Sequence, residues 1–395
     1  MRHQHSVTAH FAGEWDESRV RRWAESVRGR LDAPGVTLGI VFMTPAFFGV
    51  AAEVLDLVRL HARVPTLVGC SSQSLIANGE EFEDQPGLVL QLFHLPGADL
   101  RAVHFGQEAM ESCETESDWH RMTGVLPGDC RGWLILADPF NLDGERWLRA
   151  WNAAYPGIPS VGGLAGGVFE DQTTQLYLDG AVHEQGIVAL SIGGGVRLET
   201  VVSQGCSPIG CPWTITRADR NLIFTVGNRP AYEVLLETVN GLSKEEQGRV
   251  QGNLFVGFAS NEYQEEFQRG DFLVRNLIGA NPESGMLAVG AVPRTGQTMQ
   301  FHRRDSESAS EDLVAALTSA RDRLQGGTVF GGVLGVCNGR GSGLFGRPNH
   351  DAGLVQEQLG PLAVSGFFCN GELGPVGHRN FLHGYTAALG LLVTA

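Results

Sequence analysis

A pattern that recurs along the chain constrains its fold more than any other feature. "VPTLVGCSS" (Val64 to Ser72) matches "IPSVGGLAG" (Ile158 to Gly166): an apolar residue, proline, a hydroxyl, aliphatic or small residues, then glycine and small residues. "PLAVSGFFC" from Pro361 is a looser third copy. Each is preceded by a helix-like stretch, "FFGVAAEVLDLVRLHA", "GERWLRAWNAAY" or "AGLVQEQLG", with apolar residues at three- and four-residue spacing. Before each helix stands a strand, "VTLGIVFM", "GWLILAD" or "GGVLGVCN". Three further segments of equal length, from Gly87, Gly186 and Gly285, align without gaps. Each runs apolar, turns at Pro or Gly and continues in alternation, which reads as a β-hairpin. The unit is strand, helix, strand and small-residue loop with an associated hairpin, and its recurrence points to duplicated α/β modules. Strands outnumber helices, so we expect an α/β fold of mixed, largely antiparallel sheets with flanking helices, internally repeated in two halves. A doubly wound dinucleotide fold is disfavoured. The expected organisation is an N-terminal tail and helix over 1–32, one half over 33–228 and a second over 229–395. Their junction falls in the stretch from about Val196 to Arg229.

Composition narrows the function classes. Hydrophobic residues at 43% and charged residues at 18% suffice for a substantial core. A net charge of -15 argues against nucleic acid or anionic lipid as partner, because both need clustered Lys and Arg. Lys244 is the only lysine, so a phosphate-binding P-loop is absent and a buried Schiff-base lysine is not expected. "GGLAGG" (Gly162 to Gly167) departs from the dinucleotide fingerprint, and no cofactor is expected. Seven scattered cysteines, an odd number without a Cys-x-x-Cys pair, read as reduced thiols. His3 and His5 read as tail, and no His-x-x-x-His or carboxylate cluster suggests a metal. With no apolar leader and no apolar run of ~20 residues, the expectation is a cytoplasmic protein without membrane insertion.

The chemistry-bearing residues cluster after apolar strands. Cys70, Ser71 and Ser72 end "VGCSS"; Gly162 and Gly163 end "SVGG"; Cys337 opens "CNGRGSG", and Cys369 opens "CNGE". The competing reading of these cysteines, with Cys206 and Cys211, is a small hydrophobe. In the two Cys-Asn-Gly turns, Asn-Gly favours positive φ, which points backbone N–H groups inward. Beside Asn338 and Gly339, which are expected at the ligand site, Arg340 then offers a fork of donors suited to a carboxylate. Glu372, with Asn370 of the same turn also expected at the site, offers an acceptor for an ammonium, and Arg340 and Glu372 together would clamp a zwitterion. The alternative is that Arg340 and Glu372 pair with each other or cap loops. Arg275 is a lone cation in an apolar strand and needs a structural carboxylate or a ligand anion. His383 or His378 could serve Cys369 as a base.

The run from Val333 to Leu392, with "VCNGRGSGLFGRPNHDAGL" and "SGFFCNGELGPVGHRNFLHGYTAALGLL", resembles the FIST C domain. "VGCSSQSLI", "SVGGLAGG" and "VSQGCSPIGCPWTITRADRN" resemble the FIST N domain, and "RNLIGANPESGMLAVGAVPRTGQTMQFHRRD" the start of FIST C. The resemblance spans about Ala33 to Leu392. It implies a sensory module that binds a small ligand such as an amino acid and, having no output domain of its own, signals through a separate output protein. The leading expectation is therefore a sensor with a cleft between its halves, floored by the small-residue loops. Its ligand would be an amino acid or related polar metabolite. The alternative is a thiol-dependent hydrolase or transferase using Cys369 and His383.

Overall fold

The computed structural model describes residues 4–168, 170–264, 266–324 and 326–395, so His3 lies outside the described residues. The chain forms two compact units, one of Met1–Val202 with Ala316–Ala395 and one of Ser203–Ala315.

The first unit begins with β1 (Ser6–Ala12) and α1 (Glu17–Arg30). The first repeat follows: β2 (Leu38–Met43), α2 (Ala51–Ala62), β3 (Leu67–Ser71), β4 (Leu75–Ala77), β5 (Glu80–Phe82), β6 (Gly87–Phe93) and β7 (Ala98–Phe105). After α3 (Gln107–Glu111) and α4 (Glu116–Thr123) the second repeat supplies β8 (Trp133–Ala137), α5 (Gly144–Ala154), β9 (Ser160–Leu164), β10 (Leu176–Leu178), β11 (Ala181–His183), β12 (Ile187–Gly194) and β13 (Val196–Ser203).

The second unit holds β14 (Ser207–Asp219), β15 (Leu222–Val226), β16 (Arg229–Pro230), α6 (Ala231–Asn240), α7 (Lys244–Val250), β17 (Leu254–Ala259), β18 (Phe272–Asn281), β19 (Met286–Val289) and β20 (Thr298–Arg303). Its strands make one seven-stranded sheet. Ile215, Val256 and Phe301 pack with Val234 and Leu235 of α6 in its core.

α8 (Ser306–Arg323) leads into the third repeat: β21 (Val329–Cys337), α9 (Gly341–Phe345), α10 (His350–Leu359), β22 (Val364–Cys369), β23 (Glu372–Val376), β24 (Arg379–His383) and β25 (Ala387–Thr394).

Three six-stranded sheets organise the first unit, in the orders β1-β6-β2-β3-β10-β11, β7-β12-β8-β9-β23-β24 and β13-β25-β21-β22-β4-β5. The plan is the same each time. A parallel pair spanned by a helix (β2/β3, β8/β9 or β21/β22) has an antiparallel strand and an edge strand on one side and a hairpin on the other. The hairpin always comes from another repeat: β4/β5 joins the third sheet, β10/β11 the first and β23/β24 the second. Edge strands pass in the opposite cyclic sense, β7 of the first repeat joining the second sheet and β13 of the second repeat the third, with β1 taking that place in the first. The unit is thus built on a pseudo-threefold plan. Alternation along the strands accounts for its packing. Ile40 and Phe42 of β2 join Leu134, Val161, Val333 and Phe367 in a core shared by all three sheets. Val41 and Met43 turn outward against α1 and α2.

The fold is the expected mixed α/β repeat, and all three strand-helix-strand copies stand where the sequence puts them. The segments from Gly87, Gly186 and Gly285 require correction. All are strands, yet β6 and β7 lie in different sheets, as do β12 and β13, and β19 and β20 are not neighbours in theirs. Gly285 is not in a repeat at all. Thr44 and Asp138 donate backbone N–H bonds to the carbonyls of Gly87 and Gly186, and their counterpart Cys337 donates to Thr386, so the third copy starts at Thr386. The true hairpin turns are Asn78-Gly79, Asp179-Gly180 and Gly377-His378, each with positive φ at its first central residue, 58° at Asn78, 54° at Asp179 and 62° at Gly377, the backbone sense that tight two-residue hairpins need there.

Candidate functional site

The ends of β3, β9 and β22 come together inside the first unit. Gly69, Gly162 and Gly366 lie opposite Val41, Ile135 and Leu334 in equivalent registers. A Cβ there would stand 1.8, 1.9 and 2.3 Å from the facing carbonyl oxygens, so only glycine lets these strands close up. Beyond them the chain links repeat to repeat. Ser71 Oγ donates to Gly166 O at 2.6 Å, and Ser72 Oγ donates to Phe368 O at 2.7 Å. The N–H of Gly166 bonds to Ser71 O, and that of Asn370 to Leu164 O. Asn370 Nδ2 donates to Ala165 O at 2.9 Å. A Cβ on Gly163 would lie 3.0 Å from Cys369 Sγ. Cys70, Ser71, Ser72, Gly162, Gly163, Cys369 and Asn370 are therefore one cluster drawn from three repeats.

Glu372 is the group in it with most chemical consequence. It heads β23 opposite Gly163 and His383 and is fully buried. Its Oε1 accepts the Cys369 thiol at 3.4 Å, and its Oε2 accepts Thr386 N–H at 2.9 Å. Burial pushes its carboxyl up to about 8. Burial also raises the Cys369 thiol well above its ordinary value, and the neighbouring Glu372 charge adds to this, so the thiolate is disfavoured. His383 Nε2 lies 3.0 Å from Gly374 O. Above the carboxyl, Asn338 N–H bonds to Cys369 O at 3.1 Å, and Asn338 Nδ2 donates to Asn370 Oδ1 at 2.6 Å. Asn338 and Gly339 are exposed while Asn370 is half-buried. The Tyr385 ring lies 3.5 Å from where a Gly339 Cβ would be. Tyr385 has φ of 65°, a left-handed conformation uncommon for a bulky side chain. Its loop carries Thr386, the donor to Glu372.

Arg340 corrects the expected zwitterion clamp. Its Nε and Nη2 bind both oxygens of Asp351 at 2.6 and 2.8 Å, and Nη1 donates to Tyr385 O at 3.2 Å. Its guanidinium lies over the Phe345 ring, which stacks on His350 at 3.4 Å, and His350 Nδ1 is 2.9 Å from Asp351. The fork that would receive a ligand carboxylate is occupied by Asp351 rather than Glu372, and its remaining nitrogen caps the Tyr385 loop. For Asp351, burial works to raise the carboxyl, but the Arg340 charge and hydrogen bonds outweigh it and hold the group down at about 2. Arg275 belongs to the second unit, half-buried on β18 with Nη1 donating to Val274 O.

Sequence reasoning missed Asp351, His350, Tyr385 and Thr386. One signal was available for Asp351: a buried arginine needs a carboxylate, and "NHDAG" supplies one at the start of α10. All seven cysteines are thiols outside any disulfide. His5 is no loose end, since its carbonyl accepts the His94 N–H. Among the described residues no helix is long and apolar enough to cross a membrane, and no group of three or more His, Cys, Asp or Glu is placed to hold a metal ion.

Comparison with known proteins agrees with the reading of the motifs. The FIST N domain matches residues 37–229 and the FIST C domain residues 231–375. An uncharacterized protein of Mycobacterium tuberculosis is 35% identical over 370 residues, 94% of each chain. A second one from that organism is 35% identical over 343 residues, 87% of this chain and 88% of the other. An F-box/LRR-repeat protein of Arabidopsis thaliana is 29% identical over 130 residues, 29% of this chain and 25% of that one. A cyanuric acid hydrolase structure from A. caulinodans covers 98% of this chain and 99% of its own at 9% identity and a TM-score of 0.34, a likeness too weak to bear on function. The chain thus belongs to the FIST family, with the N and C domains of that sensory module in succession.

Proposed function

We propose that the protein is a small-ligand sensor that takes up an amine-bearing polar metabolite, an amino acid or a relative of one, where the two Cys-Asn-Gly turns meet. The observation that carries this reading is Glu372, a buried carboxyl held by a thiol and a backbone N–H. The one nearby guanidinium, that of Arg340, is committed to Asp351. Such a carboxyl stays protonated near neutral pH, and an ammonium group is the partner that would make its charged form stable. Access would come by movement of the Tyr385 loop, which is already in an unfavourable conformation and already bonded to Glu372 through Thr386. Loop displacement on binding would then be the signal, passed to a separate output protein. Asn338, Gly339 and Asn370 would meet the rest of the ligand, and the Cys70–Ser72 and Gly162–Gly163 loops would form the floor.

A thiol hydrolase built on Cys369 and His383 has less to support it, because burial and Glu372 oppose thiolate formation. The test is a thermal-shift panel of free amino acids and small amines on the wild type and Glu372→Gln. A ligand at 100 times its Kd stabilises by about 2.7 kcal/mol. The reading stands if a hit is lost in Glu372→Gln and falls if every hit persists there.

A further inference from the structure

Cys337 and Cys369 open the two Cys-Asn-Gly turns and are register partners at the ends of the parallel strands β21 and β22. Residues paired in this way point to the same face of a sheet. Both thiols reach the Glu372 carboxyl: Cys369 Sγ lies 3.4 Å from Oε1, and the Cys337 thiol is bonded to the same group. The other repeats show what these two positions do elsewhere. Thr44 and Asp138 stand in the place of Cys337, and Ser72 and Ala165 in the place of Cys369, their N–H groups bonding to Met43 O and Ala137 O. Thr44 Oγ1 donates to Gly87 O, and the Asp138 carboxylate caps the N–H groups of Phe140 and Asn141. Neither position needs a thiol to end its strand, yet the third copy has one at both. Cys70, by contrast, is fully buried opposite Phe42 and Leu176.

The two thiols differ in exposure. Cys337 is half-buried beside exposed Asn338 and Gly339, while Cys369 is buried. The Gly339 N–H donates to Cys337 Sγ at 3.4 Å, a contact that favours a thiolate. Neighbouring strands lie about 4.8 Å apart, toward the short end of the roughly 4.4–6.8 Å that Cα atoms span in a disulfide. A bridge between these strands is within reach, and strained enough to be reduced again readily.

We propose that Cys337 and Cys369 form a reversible disulfide in response to a hydroperoxide. The Cys337 thiolate attacks one peroxide oxygen and the O–O bond breaks. The products are a Cys337 sulfenic acid and hydroxide, which leaves as water with the proton that the thiol gave up. The Cys369 sulfur then attacks the sulfenic sulfur. The S–S bond forms as the S–O bond breaks, and the hydroxyl leaves as water with the Cys369 proton. The two sulfurs together lose two electrons, and the two peroxide oxygens gain them.

The test treats the native, reduced full chain with millimolar hydrogen peroxide, blocks the remaining thiols with N-ethylmaleimide in denaturant, and maps the digest by mass spectrometry. The expected product is a pair of peptides joined through Cys337 and Cys369, lighter by two hydrogens, lost on treatment with dithiothreitol and formed equally in Cys211→Ser. In Cys369→Ser, whose fold near-UV circular dichroism checks, dimedone should instead trap Cys337 as its sulfenic acid. If that variant does not fold, the wild-type map decides alone. Both thiols found alkylated after peroxide, Cys337 oxidised without a bridge in the wild type, or Cys369 joined to Cys70 overturns the proposal. No ligand enters the assay, so its outcome is separate from that of the amine reading.

Discussion

Replacing Asp351 with asparagine tests what Arg340 is for. The sequence suggested that Arg340 waits for a ligand carboxylate, so that its loss would weaken binding and spare the fold. In the structure its side chain is 0% exposed and that of Asp351 is 1%, and the two meet in a bidentate pair. Asp351→Asn keeps the shape and removes the charge, leaving a guanidinium buried without its counterion. Breaking such a pair costs about 3–5 kcal/mol. At roughly 2 °C per kcal/mol for a large domain, the melting temperature should fall by about 6–10 °C. Acid should reproduce part of the loss. The Asp351 carboxyl is held down at about 2 in the fold against an ordinary value of 3.8. Its contribution is therefore complete above about pH 4 and disappears as pH falls through about 2. Integrated over that shift it amounts to roughly 2–3 kcal/mol. Urea unfolding at pH 7 measures the first number, and a pH series from 6 to 2.5 on wild type and variant begins to show the second. The double variant Arg340→Met with Asp351→Leu should recover most of the loss, because an apolar replacement leaves no charge stranded. A folded Asp351→Asn protein within about 1 kcal/mol of the wild type would refute the reasoning.

Other outcomes follow from the same geometry. Gly69→Ala, Gly162→Ala and Gly366→Ala should each destabilise by more than about 2 kcal/mol in denaturant titrations, because the added Cβ meets a backbone carbonyl that cannot move aside. Three unaffected variants would remove the pseudo-threefold packing argument. Burial raises Glu372 to about 8 and Glu81 to about 7 and lowers His10 and His302 to about 4, so the folded chain binds more protons than the unfolded one between about pH 6.5 and 8. Stability should therefore fall as pH rises through that window, and fall less steeply in Glu372→Gln; parallel curves would contradict the assignment. Exposed Cys211 should react with iodoacetamide long before buried Cys70 and Cys369 in the native protein. Mass spectrometry finding Cys369 alkylated first would reverse the reading of its thiol.

Much of this architecture was legible because it rests on local pattern. Apolar strands, amphipathic helices and the small-residue loops of all three repeats carry their signals within a few residues. The hairpins escaped because a strand followed by a turn and another strand does not say which sheet the second strand joins. β6 and β7 read as neighbours, yet the chain changes sheet between Phe93 and Ala98. Asn78-Gly79 and Asp179-Gly180 did announce the real hairpins, but their strands are too short for alternation to register. At the site, the gathering of Ser72, Gly163 and Cys369 was anticipated from their equivalent places in the repeat. The partner of Arg340 was not, because Asp351 stands at the head of α10, and only the tertiary fold brings it to the buried guanidinium.

The central claim, that Glu372 receives a ligand amine, is most directly tested by proton release. With its carboxyl raised to about 8, Glu372 is mostly protonated at pH 7. An arriving ammonium should drive that proton into the buffer. Calorimetric titration with the best amino-acid or amine hit from the thermal-shift panel, repeated in buffers of different ionisation enthalpy, counts the protons. The account predicts that most of a proton is released per ligand bound at pH 7 in the wild type and none in Glu372→Gln. Binding with no proton release, or with the same release in Glu372→Gln, would contradict it.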